Sequence, residues 1–328
     1  MISVTSLANG VGVVLAITLG LWGLTLARDN QATPTVLNGL PTLTVEYAQL
    51  PDGQRAIKDD SGVLVPVRHY ERVASASTIS DALLLEFASP NQIAAFTQYS
   101  ADNAVFGYRY TGKPQIDALK NMEGLLALKP DLLLVSTLSS GIRLERLREL
   151  GLTVFSLGEM RGVDSFVRNA RAISALLGRA EQGELYVTST LSRLEAIARH
   201  IPTSERKSAI QLVYYGNKIF GSGDNTSYAD VLHYAGLSDA AKNKYEGWPA
   251  WSPEQVLELN PDVIVTRTGM GTQLCTQASL LTLKACHGGD NGANSVVELP
   301  DALINDPGIG ILLSAERIHE AVYGATDE

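Results

Sequence analysis

Basic charge is in short supply. Lys and Arg total 26 against 35 Asp and Glu, a formal net charge of -9. A sequence-independent grip on nucleic acid needs a basic surface, so no nucleic-acid partner is expected. Histidine is scarce too. His69, His200, His233, His287 and His319 show no HxxxH or HxH spacing. A bare zinc or manganese carrier would want a convergent set of His and carboxylates. His233 falls in a helical stripe and reads as structural; His287 sits in a Gly-rich loop, CHGGDNG, and reads as exposed. No GxxxxGK[ST] phosphate loop is present, and Asp224, Asn225 and Thr226 after Gly221-Ser222-Gly223 read more simply as a helix cap. Neither Ser136 nor Ser222 lies in a GxSxG elbow. These absences disfavour an enzyme.

The first 27 residues carry no charged side chain. Val11 to Ala27 is an unbroken apolar or small run, about the length of a signal-peptide core and short for a membrane span. Cleavage after Ala27 fits its small terminal residue, but no Lys or Arg precedes the run, so an uncleaved anchor or a misplaced start stays open. No Cys follows it, which disfavours a lipid anchor. The two cysteines, Cys275 and Cys286, are close in sequence. They either bridge or serve as two small unpaired hydrophobes; export favours the bridge, which would contribute about 3 kcal/mol for so short a loop.

What is present reads as globular: 45 % hydrophobic and 19 % charged residues over 328 positions, enough for one large core or two ordinary ones. Residues 28 to about 70 are loop-rich, with strand-like stretches at Leu43–Tyr47 and Val63–Val67 and a turn at Asp60-Ser61-Gly62. From Val73 buried strands are predicted at Gln92–Phe96, Leu132–Val135, Thr153–Leu157, Ile210–Tyr214, Val263–Val265 and Ser295–Leu299. Helices are predicted at Ile79–Phe87, Gln115–Leu128, Ile142–Leu150, Ser227–Tyr234, Pro253–Leu259 and Ile309–Val322. Alternation of this kind predicts an α/β fold with mainly parallel sheets.

One echo organises the chain. MEGLLALKPDLLLV (Met122–Val135) and PEQVLELNPDVIVT (Pro253–Thr266) share a glutamate near the start, an apolar pair position, Pro-Asp, then a buried strand. Each reads as a helix stopped before proline and a tight turn into a strand. Twice over, it implies two similar lobes. Between the echoes, Ala180–His200 carries Leu185, Leu191, Leu194 and Ile197 on one helical stripe, and Pro202 ends it. Such a helix spans roughly 30 Å, enough for a strut between lobes; an ordinary surface helix is the plainer alternative.

The order and spacing of DSGVLVPVRHYERVAS, NMEGLLALKPDLLLV, GSGDNTSYADVLHYAG and WPAWSPEQVLELNPDVIV resemble the helical-backbone class of periplasmic binding proteins, the class III or vitamin B12-binding-like group. The resemblance runs over about residues 60 to 325. It implies two α/β lobes with parallel sheets joined by one long backbone helix: residues 1–27 as signal or anchor, 28–70 as lead-in, 71–178 and 203–328 as lobes, 179–202 as the link. It implies a monomer, periplasmic or at the cell surface, that holds a small-molecule metal chelate (ferric siderophore, haem or corrinoid) between the lobes and uses no cofactor. The partner implied is an ABC permease dimer with its ATPase. Glu123 and Glu254 occupy the positions whose carboxylates dock onto permease arginines in that family; locally, each is also a favourable acid in a first helical turn. The rival reading is a sensor or surface interaction protein on the same fold.

Ligand contacts are expected in loops at the carboxyl ends of the strands: Ser75–Thr78 with Ser77 and Thr78, Gln98–Tyr110, Ser136–Ile142, Tyr215–Tyr228, Tyr245–Trp251 and Thr266–Gln273. Aromatics are only 6 % of the chain, yet Tyr99, Tyr108, Tyr110, Tyr215, Tyr245, Trp248 and Trp251 fall in or beside these loops. Aromatic faces suit a large flat chelate, and Trp248 stands where B12-binding relatives place a stacking tryptophan. The alternative for either tryptophan is packing under the loop. Tyrosine ligation of haem by Tyr108 or Tyr110 is open but unspecific. Arg109, Arg143, Arg267 and Lys113 are candidates to meet ligand carboxylates, or are simply solvated charges.

Overall fold

The computed structural model describes residues 45–117, 120–136, 141–287, 295–304 and 310–325. The apolar run Val11–Ala27, the lead-in up to residue 44 and positions 137–140 of the Ser136–Ile142 loop lie outside the described residues, as does the Arg143 side chain.

The described chain opens with an antiparallel ribbon, β1 (Tyr47–Gln49), β2 (Arg55–Lys58) and β3 (Leu64–Pro66). One buried carboxylate both makes its turn and fastens it down. Asp59 Oδ1 accepts from the Ser61 and Val63 amides, while Oδ2 accepts from the Ser156 amide (3.0 Å) and the Arg148 guanidinium (2.7 Å).

The first lobe is a five-stranded parallel sheet in the order β6-β5-β4-β7-β8. Its strands are β4 (Val73–Ser75), β5 (Ile93–Thr97), β6 (Gln115–Ile116), β7 (Leu132–Val135) and β8 (Val154–Ser156). Helices α1 (Thr78–Phe87), α2 (Met122–Ala127) and α3 (Gly141–Glu149) alternate with them. The strands are buried over their apolar runs because helices cover the sheet. Leu125 of α2 and Leu144 and Leu147 of α3 pack with Ala74, Leu133 and Val154 in one cluster.

After β8 come two helices, α4 (Val163–Leu176) and α5 (Ala180–Arg199). They cross closely because position 183 is glycine. A Cβ there would lie 1.9 Å from Ser174 Oγ. Helix α5 is the link between lobes. Near its start Gln182 donates to the Glu86 carbonyl and Tyr186 meets the Phe87 ring edge-on at 5.5 Å. Near its end Arg193 pairs with Glu316 of the second lobe.

The second lobe is a mixed sheet in the order β12-β10-β9-β13-β14, with β11 also on β9. Its strands are β9 (Ser208–Tyr215), β10 (Lys218–Gly221), β11 (Ser238–Asp239), β12 (Ala250–Trp251), β13 (Val263–Arg267) and β14 (Val296–Leu299). Its main helices are α6 (Ser227–Tyr234), α7 (Pro253–Leu259) and α8 (Gly310–Tyr323). The β9–β13–β14 core is parallel, and β10 and β12 are antiparallel additions at one edge.

Two expectations need correction, and one helix is an addition to them. The helix predicted over Gln115–Leu128 begins only at Met122: Gln115 and Ile116 pair with Phe96 and Thr97 as a strand, and the Asn121 side chain caps the helix by accepting from the Gly124 amide. Leu185 is exposed, and the buried stripe of α5 is Gly183, Val187, Leu191, Leu194 and Ala198. Helix α4 was not foreseen, although Val163, Phe166, Val167, Ala170 and Ile173 are buried at helical spacing.

Candidate functional site

In open α/β sheets the natural binding crevice lies beyond the carboxyl ends of the strands, where the connections diverge to opposite sides. In the first sheet that point is between β4 and β7, since β4 leads outward to β5 and β7 to β8. In the second it is between β9 and β13. The loop after β4 is Ala76-Ser77, and Thr78 opens α1. Ser77, buried, is the N-cap of α1, and its carbonyl accepts from Ser75 Oγ and Ser80 Oγ; Thr78 is half-buried. Beneath it lies Asp81, which accepts from the Thr97 amide and from Thr97 Oγ1 at 2.5 Å. Burial pushes its carboxyl up to about 6, against the pull of hydrogen bonds from Ser100, Ser75 and Thr97. Asp81 therefore ties α1 to the end of β5, where Tyr99 begins the next loop.

Tyr99 and Tyr108 are exposed, Tyr108 at 75 %. Lys120 reaches the Tyr99 hydroxyl and pairs with Asp117. Tyr110 is buried, edge-on to Phe96 at 5.0 Å, and Arg109 pairs with Glu86 at 2.6 Å. Burial leaves Tyr110 little surface for a ligand, while Arg109 keeps part of its side chain exposed beside the ion pair. Lys113 donates to the Pro90 carbonyl.

The second lobe gathers more. Tyr215, at the end of β9, is exposed beside Arg267, at the end of β13; the guanidinium stands 6.0 Å from the ring centroid and bonds Asp301 at 3.0 Å. Trp248 is 48 % exposed with its ring edge-on to Tyr228. Its loop is laddered to the strand-to-helix turn by Gly223 N to Gly247 O and Gly247 N to Asp224 O, both 2.9 Å. Trp251, by contrast, is 5 % exposed, lies in β12 and packs on Tyr245 at 4.4 Å, so it reads as the floor of the loop; Tyr245 is half-buried and its hydroxyl accepts from Gln255.

Glu123 and Glu254 stand exposed in the first turns of α2 and α7. The Glu254 carboxyl is held below its usual range by its own amide and by Ser252. Cys275 and Cys286 form a disulfide with Cα atoms 5.2 Å apart. Among the described residues no group of three His, Cys, Asp or Glu could hold a metal ion. Sequence reading missed Asp81, Asp301 and Glu298, whose two oxygens take the Gly269 and Gly271 amides and shape the loop after β13. Nothing in their local pattern sets them apart from ordinary surface acids.

Two α/β lobes on a linking helix, with open loops at the carboxyl edge of each sheet, define a two-lobed binding protein. The model of the periplasmic binding protein family matches residues 73–281, and the chain belongs to that family. Among its relatives is a cobalamin-binding protein of Halobacterium salinarum, 23 % identical over 261 residues, spanning 78 % of this chain and 70 % of that one. An uncharacterised ABC transporter substrate-binding lipoprotein of Bacillus subtilis is 28 % identical over 156 residues, 46 % of this chain and 49 % of that one. Among solved structures, a periplasmic haem-binding protein of Vibrio cholerae superposes with a TM-score of 0.63 at 17 % identity, covering 77 % of this chain and 98 % of that one. These relatives are binding proteins rather than enzymes, and their kind holds a ligand as cargo.

Proposed function

We propose that this chain is the solute-binding component of an ABC importer and that it captures a large, flat metal chelate of the ferric siderophore, haem or corrinoid kind between its lobes. The observation that carries the reading is the set of exposed aromatic side chains at the carboxyl edges of both sheets: Tyr99 and Tyr108 on one, Tyr215 and Trp248 on the other. Exposed aromatic faces on braced loops bind a flat ligand with little ordering cost. Arg267, half-buried against Tyr215, is suited to a carboxylate at the ligand's rim. Relatives whose names record cobalamin and haem binding support the class of ligand. The apolar Val11–Ala27 segment serves export, and Glu123 and Glu254 dock the loaded protein on its permease.

Protein purified from its native host should carry a chromophore. Its visible spectrum and metal content separate haem, corrinoid and ferric hydroxamate or catecholate. A colourless, metal-free protein that also fails to bind cyanocobalamin, haemin or a ferric siderophore would sink the reading. Trp248→Ala should weaken ligand binding by about 1–3 kcal/mol in a folded protein. Glu123→Ala and Glu254→Ala should leave ligand affinity unchanged and impair uptake in cells; loss of binding with normal uptake would reverse their role.

A further inference from the structure

The two lobes also meet away from the linking helix. Asp230 lies on α6 of the second lobe, and its Oδ2 accepts a 2.7 Å hydrogen bond from the Val163 amide, 67 positions earlier in the chain. Val163 is the first residue of α4, which follows the last strand of the first sheet. Helix N-termini carry unsatisfied amides and a partial positive charge, normally met by a Ser, Thr, Asp or Asn at the N-cap itself. Here the N-cap is Gly162, which has no side chain to offer. The cap comes from the other lobe.

The local geometry is cut to admit it. Gly162 has φ 108° and ψ -157°, a conformation that side chains rarely allow. A Cβ at this position would lie 2.1 Å from Asp230 Oδ2 and 3.4 Å from the Thr226 carbonyl. Asp230 is anchored in turn, because α6 is capped by Thr226, whose hydroxyl accepts from the Ala229 amide and donates to the Gly223 carbonyl. Burial pushes the Asp230 carboxyl up to about 6, while the Val163 amide pulls it down. Beside this contact the packing is open. A pocket of about 240 Å³ there is lined by Val163 and Phe166, by Ile311 and Leu312 of the second lobe, and by Thr190 and Leu194 of the linking helix. The lobes are thus braced at a polar point next to slack, where a lost hydrogen bond has room to become a lost angle.

We propose that Asp230 is a positioning residue for ligand capture: by capping the first-lobe helix at Gly162–Val163 it sets the angle between the lobes and so the width of the cleft. Its role in capture rests on the binding reading above; its hold on the lobe angle does not.

Two spin labels read the angle without any ligand. Glu145→Cys on α3 and Lys244→Cys in the second lobe are exposed positions, and both native cysteines are bridged. Pulsed electron resonance on the otherwise native chain should give one narrow distance. Asp230→Ala should broaden or shift it, Asp230→Asn should restore it because the amide oxygen still accepts, and Asp230→Glu should displace it, being one methylene longer. Native distances in the Ala and Glu variants, even with a lowered melting temperature, would overturn the proposal and leave Asp230 a plain structural contact. Should Asp230→Ala not fold, the Glu variant decides. With cyanocobalamin as probe, Asp230→Ala should bind about tenfold more weakly and Asp230→Asn as the native chain does. A native chain that ignores cyanocobalamin counts against that ligand and leaves the distance result standing.

Discussion

The helix–proline–aspartate–strand unit is built once in each lobe, and the two copies do the same work with different parts. In the first, Asp131 accepts from the Glu71 and Arg72 amides at 2.8 and 2.9 Å and returns its own amide to the Arg72 carbonyl. In the second, Asp262 accepts from the Ser208 amide and hydroxyl at 3.0 and 2.7 Å and returns its amide to the Ser208 carbonyl. Each aspartate therefore pins the beginning of the neighbouring strand, β4 in one lobe and β9 in the other. The copies differ in their ends. Helix α7 has a Ser252–Gln255 capping box and Pro253 in its first turn, whereas α2 relies on the Asn121 side chain alone. Both units leave their helix through a left-handed residue before proline, Lys129 with φ 47° and Asn260 with φ 39°. Proline crowds the right-handed region of the residue before it, and asparagine tolerates the left-handed alternative better than lysine. The repeated acids thus divide: the aspartates hold strands, while Glu123 and Glu254 stand exposed in the first turns of their helices.

The aspartates are where the likeness should be easiest to break. Asp131→Ala and Asp262→Ala should each cost about 2–3 kcal/mol in urea unfolding, the scale of hydrogen bonds to a charged acceptor. A near-neutral effect in one lobe would show that its clip is dispensable. The buried carboxyl Asp81, which belongs to the first lobe, sharpens the contrast through pH. Burial raises its folded pKa above the ordinary aspartate range, to about 6. The folded state then binds more protons than the unfolded one in that window, so this group's contribution to stability falls as pH rises from about 4 to 6.5. Asp81→Asn removes that slope, and the variant should gain on the native protein by on the order of 1–2 kcal/mol over this range. Parallel stability curves for the two proteins would refute it. The turns should yield the smallest effect. Lys129→Asn should stabilise and Asn260→Lys destabilise by about 1 kcal/mol or less. The second change also removes the oxygen that accepts from the Lys284 amide. Equal and opposite shifts would show the two turns to be interchangeable.

The sequence announces these lobes where local and global signals agree. Leu132–Val135 is a strand in both readings because it is an apolar run closed off by Pro-Asp, and Ser227–Tyr234 and Pro253–Leu259 are bounded by caps that local chemistry alone dictates. Three of the shortest strands were not legible. Val73–Ser75, Gln115–Ile116 and Ala250–Trp251 exist because a longer neighbour offers them a ladder. The exposed aromatics could be assigned to loops by position, but only packing separates Trp248 from Trp251, three residues apart on opposite sides of one loop. Asp81 and Asp230 escaped notice for a related reason. Their meaning lies in amides 16 and 67 positions away, and no short motif records them.

The bridge between Cys275 and Cys286 closes a short segment of the second lobe, and these are the chain's two cysteines. Oxidation within one molecule therefore has a single outcome. There is no second pairing to sample and no wrong bridge to undo, so an oxidising compartment needs to supply only an electron acceptor, not an isomerase. The error left open is between molecules: a bridge formed across two crowded chains before each has closed its own. In such a compartment the folding yield should then be limited by crowding rather than by reshuffling.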